Sequence, residues 1–95
     1  KIATELVAFG DKDHFVSRKA WVELKHVLLD YVGNVPIGVR QSLGEDGMAR
    51  LSLQLCEAAE NAPNFGRQSQ ALWLVGMIRN EAGVPYLEEQ VKKRN

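Results

Sequence analysis

Glu23 and His26 form a Glu-x-x-His pair, a spacing that places both side chains on one face of a helix. In helical di-iron proteins such pairs supply metal ligands, but two copies and additional carboxylates are needed. The sequence has no second copy, because its only other histidine is His14. We therefore interpret Glu23 and His26, together with Asp30, as a solvated helix face, and we predict no metal site.

Cys56 is the only candidate for a thiol nucleophile. A reactive thiol needs a helix N-terminus or a nearby base that lowers its pKa, whereas Cys56 lies in the middle of a predicted helix rich in apolar residues. His14 or His26 could approach it in the fold, but no sequence signal indicates that contact. We therefore predict a buried and unreactive side chain.

The stretch from Gly38 to Gly47 is rich in glycine, but it lacks the Gly-Lys-Ser/Thr ending with which a phosphate loop binds phosphate and magnesium. We interpret it as a turn-rich connection. Since binding residues concentrate on loops, it is also the best loop candidate for function. With no catalytic set, metal site or phosphate loop, the sequence predicts that the chain is not an enzyme and uses no cofactor.

Four basic residues are candidates for binding a partner or a phosphate. Arg18 and Lys25 are seven residues apart and therefore share one face of a helix. Arg40 and Arg67 begin or flank other predicted elements, and phosphates could bind if the fold gathers these residues at one end. Acidic residues are interspersed along the chain, which favours ordinary solvation of these side chains instead.

Trp21 is the fifth candidate binding residue, because aromatic side chains often anchor a partner and it lies near the polar edge of its predicted helix. Trp73 belongs to a segment that is apolar nearly all round, and we predict that it lies in the core. The same segment contains Gly76, which costs about 1 kcal/mol relative to alanine inside a helix. The close approach of a neighbouring helix would compensate that cost.

The composition indicates one folded domain over residues 1–95, interpreted as a fragment or domain of a larger protein. The chain is 45% hydrophobic and 25% charged, and 12 basic residues balance 12 acidic ones. A net charge of zero argues against a strong electrostatic footprint for nucleic acid. The longest apolar run is far shorter than the roughly 20 residues of a membrane span, so we predict no membrane contact. A single cysteine favours a cytoplasmic location.

Hydrophobic residues at helical spacing predict five main helices joined by turns. Their predicted ranges are 2–9, 14–32, 45–60, 65–79 and 85–93, with one further helical turn over 40–43. Asp13 is a predicted N-cap, and the break over 61–64 contains a second candidate cap. Gly33 and Asn34 are predicted to end the second helix, since both tolerate positive φ.

Two stretches resemble parts of HEAT repeats, the paired antiparallel helices that stack into α-solenoids. Residues 6–20 resemble the turn inside such a pair, with an acidic turn followed by a valine, a basic residue and Ala20. Residues 71–87 resemble the end of one repeat leading into the Val-Pro-x-Leu start of the next. The spacing from Ala20 to Ala71 is 51 residues, longer than the roughly 40–47 of such repeats, so the segment 33–44 would be an insertion.

The predicted fold is therefore all-α, with about five helices in antiparallel pairs, arranged either as a HEAT-like superhelix or as a compact orthogonal bundle. The resemblance implies a non-catalytic adaptor that binds a protein partner, neighbouring repeats or a second copy of itself through a helical surface. The alternative function is nucleic-acid binding, to RNA more than DNA, through the scattered arginine and lysine residues.

Overall fold

Two helical hairpins and a final helix make up the fold. The computed structural model describes residues 2–94. Its helices are α1 (Ile2–Phe9), α2 (His14–Leu28), α3 (Ile37–Glu60), α4 (Phe65–Ile78) and α5 (Val84–Arg94), with one 3₁₀ turn, Glu81–Gly83, before α5. No strand occurs within the described residues, so the all-α prediction is confirmed.

Side-chain caps start the second helix of each hairpin. Asp13 Oδ1 accepts hydrogen bonds from the backbone N–H of Phe15 at 2.9 Å and of Val16 at 3.3 Å. Asn64 Oδ1 accepts from the N–H of Arg67 at 2.9 Å. These bonds satisfy N–H groups that have no partner within the helix. Both predicted caps are therefore confirmed.

Each hairpin is also closed by a side chain that lies four residues after its cap. The Ser17 hydroxyl donates to the carbonyl of Phe9, the last residue of α1, at 2.8 Å. The Gln68 side-chain amide donates to the carbonyl of Ala59, near the end of α3, at 3.4 Å. Both bonds satisfy carbonyls in the last turn of the preceding helix. The turn of each hairpin is thus fixed by side-chain bonding at the cap and by one bond across the pair.

The core lies between the hairpins, with α1 packed on α2, α3 on α4, and the pairs joined through α1–α3 and α2–α4 contacts. One side of α4 faces the core, and its buried residues recur at helical spacing: Arg67, Ala71, Leu74, Val75 and Ile78. The apolar side chains that are fully buried include Phe9, Leu24, Leu28, Leu55, Leu74 and Ile78. Burying such a side chain stabilises the fold by about 1.5–3 kcal/mol.

The second helix ends at Leu28, four residues before the predicted end, so this part of the prediction was wrong. Leu29 is extended, and Asp30 turns the chain: its Oδ1 accepts hydrogen bonds from the N–H groups of Val32 and Asn34, each at 3.0 Å. A short acidic side chain that binds nearby backbone N–H groups competes with the helix. Gly33, at φ 88°, then completes the turn.

The segment interpreted as a turn-rich connection, Gly38 to Gly47, is helical and belongs to α3. The break is confined to Gly44, whose φ of 71° and ψ of 175° kink the helix. Val39 and Leu43 lie against the core on one side of the kink, and buried Met48 lies on the other. The packing of these three side chains stabilises the helical turns on both sides of Gly44, which interrupts the helix.

The expected close approach at Gly76 was also wrong, because a Cβ built there would have no neighbour within 4 Å. The tight position is Gly83 in the 3₁₀ turn. A Cβ at that residue would lie 2.6 Å from Ser52 Oγ and 2.7 Å from Val75 Cγ1. A side chain is therefore excluded where this turn packs on α3 and α4.

Tyr86 joins α5 to the end of α3, since its hydroxyl donates to Glu60 Oε2 at 2.9 Å. Burial, and after it the hydrogen bond and negative charge of Glu60, raise the pKa of Tyr86 to about 12. An unfolded tyrosine ionises near pH 10, so the native state holds the phenolic proton more tightly than the unfolded state does. The resulting stabilisation is complete below about pH 10 and is lost as the pH rises towards about 12.

We expect Tyr86→Phe to be less sensitive to alkaline pH than the unsubstituted chain. The measurement is the midpoint of thermal unfolding, followed by circular dichroism from about pH 9 to about pH 12. Tyr31→Phe is the matched control, because the ring of Tyr31 is fully exposed. If Tyr86→Phe and Tyr31→Phe lose stability over the same pH range, Tyr86 does not cause the decline.

Candidate functional site

Trp73, a large aromatic side chain near the middle of α4, is 45% exposed. Trp21 on α2 is partly buried against the core. The prediction that Trp73 lies in the core and that Trp21 is the more exposed of the two was therefore wrong. Their rings meet edge to face, with centroids 5.7 Å apart and planes at 72°. Such a pair contributes about 0.5–1.5 kcal/mol beyond its buried area, and it holds Trp73 in a fixed orientation at the surface.

A groove of about 530 Å³ lies between the end of α2 and α4. Its lining consists of Lys25, His26, Leu29, Asp30, Tyr31, Gly33 and Trp73. A second groove of about 320 Å³ lies between α4 and α5 and is lined by Ser69, Leu72, Trp73, Leu87, Gln90 and Val91. Trp73 borders both grooves, and we refer to the residues lining the two grooves together as the Trp73 surface.

The Trp73 surface combines apolar side chains with few charges. Tyr31 is fully exposed at one end and Val91 is largely exposed at the other. Lys25 Nζ lies 5.3 Å from the ring centroid of Trp21, a cation–π contact that holds the ammonium group beside the groove. Asp30 Oδ1 accepts from the two backbone N–H groups of its turn. No ion pair joins Lys25 to a carboxylate among the described residues.

The basic candidates from the sequence do not form one patch. Arg18 is exposed on α2, and Lys25 lies beside the Trp21 ring. Arg40 Nη2 donates to the carbonyl of Ile78 at 3.3 Å, at the end of α4. These three residues lie in three different surroundings, so they do not concentrate positive charge as the residues of a nucleic-acid groove would.

Arg67, the remaining basic candidate, is inside the protein and only 5% exposed. Its Nε donates to Ser17 Oγ at 2.7 Å and its Nη1 to Gln70 Oε1 at 2.7 Å, while its Nη2 lies 3.4 Å from His14 Nδ1. No described carboxylate lies within ion-pair distance of it. The guanidinium group therefore connects the starts of α2 and α4, and it is not presented to a phosphate in this structure.

Cys56 is buried, and burial raises the pKa of its thiol. A raised thiol pKa lowers the thiolate fraction at neutral pH, which makes the sulfur a poor nucleophile. This agrees with the buried and unreactive side chain predicted from the sequence. Within residues 2–94, no three His, Cys, Asp or Glu side chains are grouped so that they could hold a metal ion.

The chain matches no protein-family model, no curated protein and no solved structure. The features of the molecule that bear on function are therefore the geometry of the Trp73 surface and the repeated features of the two hairpins. Among the helices of residues 2–94, none combines the length and apolar character that crossing a membrane requires.

Proposed function

We propose that this chain is a non-catalytic interaction module that binds a protein partner through the Trp73 surface. The observation that carries the proposal is Trp73 itself, exposed between two adjacent grooves and held in place by Trp21. Exposed aromatic side chains with apolar neighbours are typical of protein interfaces, where tryptophan is among the residues that contribute most binding energy. A tryptophan already fixed by a neighbouring ring loses little conformational entropy on binding.

The groove chemistry indicates what kind of segment the partner would offer. Leu29, Tyr31 and Trp73 give the first groove an aromatic and aliphatic surface that suits an apolar side chain, and Lys25, His26 and Asp30 supply its polar side chains. A carboxylate next to that side chain would pair with Lys25, which lies over the Trp21 ring and forms no ion pair with another described residue. We therefore propose an amphipathic segment with an apolar anchor and an adjacent acidic residue, bound as amphipathic peptides bind hydrophobic grooves.

Repeated features of the two hairpins support a HEAT-like organisation as part of this proposal. The N-caps Asp13 and Asn64 are 51 positions apart, as are buried Ala20 and Ala71. Each cap is followed four residues later by the side chain that closes its hairpin. In stacked helical pairs of this kind, neighbouring units share the binding surface. A cytoplasmic location, favoured by the single buried cysteine, belongs to the same proposal.

We expect Trp73→Ala to weaken partner binding by about 2 kcal/mol or more, or roughly 30-fold. The test captures partners from a cell lysate with the tagged chain, with and without nuclease, and then measures the affinity of the purified partner by calorimetry. Trp73 also packs on Trp21, so Tyr31→Ser is the second variant. Its ring is fully exposed, and its removal should weaken binding without altering the fold.

Phe15→Ser is the matched control, because it removes an exposed aromatic ring that does not line either groove. A partner that survives nuclease and is lost with Trp73→Ala and Tyr31→Ser, but not with Phe15→Ser, would support the proposal. Equal binding by all three variants would contradict it. Capture that disappears with nuclease would instead favour nucleic-acid binding, for which the separate positions of Arg18, Lys25 and Arg40 offer no specific support.

A further inference from the structure

A cleft of about 730 Å³ lies away from the Trp73 surface, between the kink of α3 and the end of α4. Its volume is within the range of roughly 300–1,000 Å³ that small-molecule sites occupy. Four of its lining side chains carry charge: Arg40, Glu45, Arg79 and Glu81. No ion pair joins these four groups, so their charges are available to a ligand.

Arg40 is positioned at this cleft by its bond to the α4 carbonyl of Ile78. A guanidinium group has five N–H donors in a planar fork. The structure gives one hydrogen bond from Arg40, from Nη2, which leaves donors free on the same rigid group. This bond anchors Arg40 at the C-terminal end of α4, where a cation is favourable. Arg40 also lines the cleft.

Arg79 lies next to Ile78 and occupies a left-handed conformation, at φ 57° and ψ 42°. Among the described residues it is the only one other than glycine with positive φ. Glycine is the usual residue at such a helix end because it has no Cβ to strain the backbone. An arginine here is less favourable for the backbone than glycine, and it adds a second guanidinium group to the cleft.

We propose that this cleft binds a small ligand through an oxyanion held between Arg40 and Arg79. Guanidinium groups pair with carboxylate and phosphate oxygens in bidentate fashion, so both oxyanions suit the chemistry of these two side chains. Glu45 and Glu81 line the same cleft and oppose an anion. Removing the charge of either carboxylate is therefore expected to strengthen oxyanion binding, which gives a second test of the proposal.

The experiment titrates the whole chain with inorganic phosphate and, separately, with citrate, against sodium chloride at equal ionic strength. Two-dimensional NMR follows the backbone amides of Asn80 and Ala82, which line the cleft. Saturable shifts with phosphate alone identify a phosphate site, and saturable shifts with citrate alone identify a carboxylate site. Saturable shifts with both ligands identify a site for oxyanions in general. Arg79→Gln then weakens binding by at least about tenfold, and Glu81→Gln strengthens it severalfold.

Two further variants separate a loss of ligand from a loss of fold. Arg79→Gly suits the left-handed backbone, so its unfolding midpoint is equal to or above that of the unsubstituted chain, while oxyanion binding is lost. Arg50→Gln removes the same charge from an exposed position of α3 outside the cleft, and it binds as before. The absence of saturable shifts in the millimolar range, or the same affinity in Arg79→Gln, overturns the proposal. Trp73→Ala leaves the titration unchanged, so this result is independent of the interaction surface.

Discussion

Replacing Ser17 with alanine is expected to lower the free energy of unfolding by about 2–4 kcal/mol, although it removes a single oxygen atom. That oxygen donates to the Phe9 carbonyl and accepts from Arg67 Nε. The residue is 1% exposed, so water cannot replace either bond. A neutral hydrogen bond contributes about 0.5–1.5 kcal/mol and one to a charged group about 1.5–3 kcal/mol.

The cost at Ser17 is high because the substitution leaves polar groups without partners inside the protein. Arg67 is a buried cation, and its remaining contacts are to Gln70 and His14. Loss of the acceptor for Nε leaves an N–H of a charged, buried group unpaired. The desolvation penalty of such a group is larger than the net contribution of the hydrogen bond itself. Chemical denaturation followed by tryptophan fluorescence or circular dichroism measures the change.

Ser52→Ala is the matched control, and its expected effect has the opposite sign. Ser52 is 0% exposed, like Ser17 it lies in a helix, and its hydroxyl has no hydrogen-bond partner. Removing an unpaired buried hydroxyl relieves a desolvation cost of about 1–3 kcal/mol. We expect Ser52→Ala to be at least as stable as the unsubstituted chain. If both substitutions destabilise equally, the hydrogen bonds of Ser17 are not the cause of its effect.

Replacing Gly83 with alanine is expected to cost about 1–3 kcal/mol by overpacking. The added Cβ would lie 2.6 Å from Ser52 Oγ and 2.7 Å from Val75 Cγ1, distances that require those groups to shift. Both neighbours are buried, and Val75 lies on the core side of α4. The 3₁₀ turn must therefore move away from α3 and α4, or the two helices must adjust around it. Thermal and chemical unfolding measure the loss.

Gly76→Ala tests whether the effect at Gly83 comes from crowding rather than from glycine chemistry in general. Gly76 lies inside α4, and a Cβ there would meet nothing within 4 Å. Alanine should stabilise the helix by about 1 kcal/mol. Gly83→Ala should also cost less in the Ser52→Ala background, because the nearer of its two clashes is gone. Equal losses at Gly76 and Gly83 would contradict the packing argument.

Features set by neighbouring residues could be predicted from the sequence. The caps at Asp13 and Asn64 depend on a short polar side chain at the start of a helix, and both form. The same local chemistry acts at Asp30, whose side chain accepts from the backbone N–H groups of Val32 and Asn34, so the helix predicted to reach residue 32 ends at Leu28. Local polar competition therefore decided the end of α2 more than hydrophobic spacing did.

The placement of Trp73 and Arg67 could not be predicted from the sequence for a physical reason. The centre of α4 is apolar on every side, so its sequence does not specify which side faces the core. The structure buries Leu74 and Val75 and leaves Trp73 at the surface. Arg67 falls on the buried side, four residues before Ala71. Its partners Ser17 and His14 are on another hairpin, 50 and 53 residues away in sequence.

The bonds of Ser17 differ widely in the loop that each one closes in the unfolded chain. Its bond to Phe9 spans eight residues, and the corresponding bond of Gln68 spans nine, whereas its bond to Arg67 spans 50. Closing the longer loop costs about 1.6 kcal/mol more in chain entropy. Each hairpin can therefore close through its own short-range bond at a smaller entropy cost than the bond through which Arg67 joins the two hairpins. One hydroxyl takes part in both the short and the long loop closure.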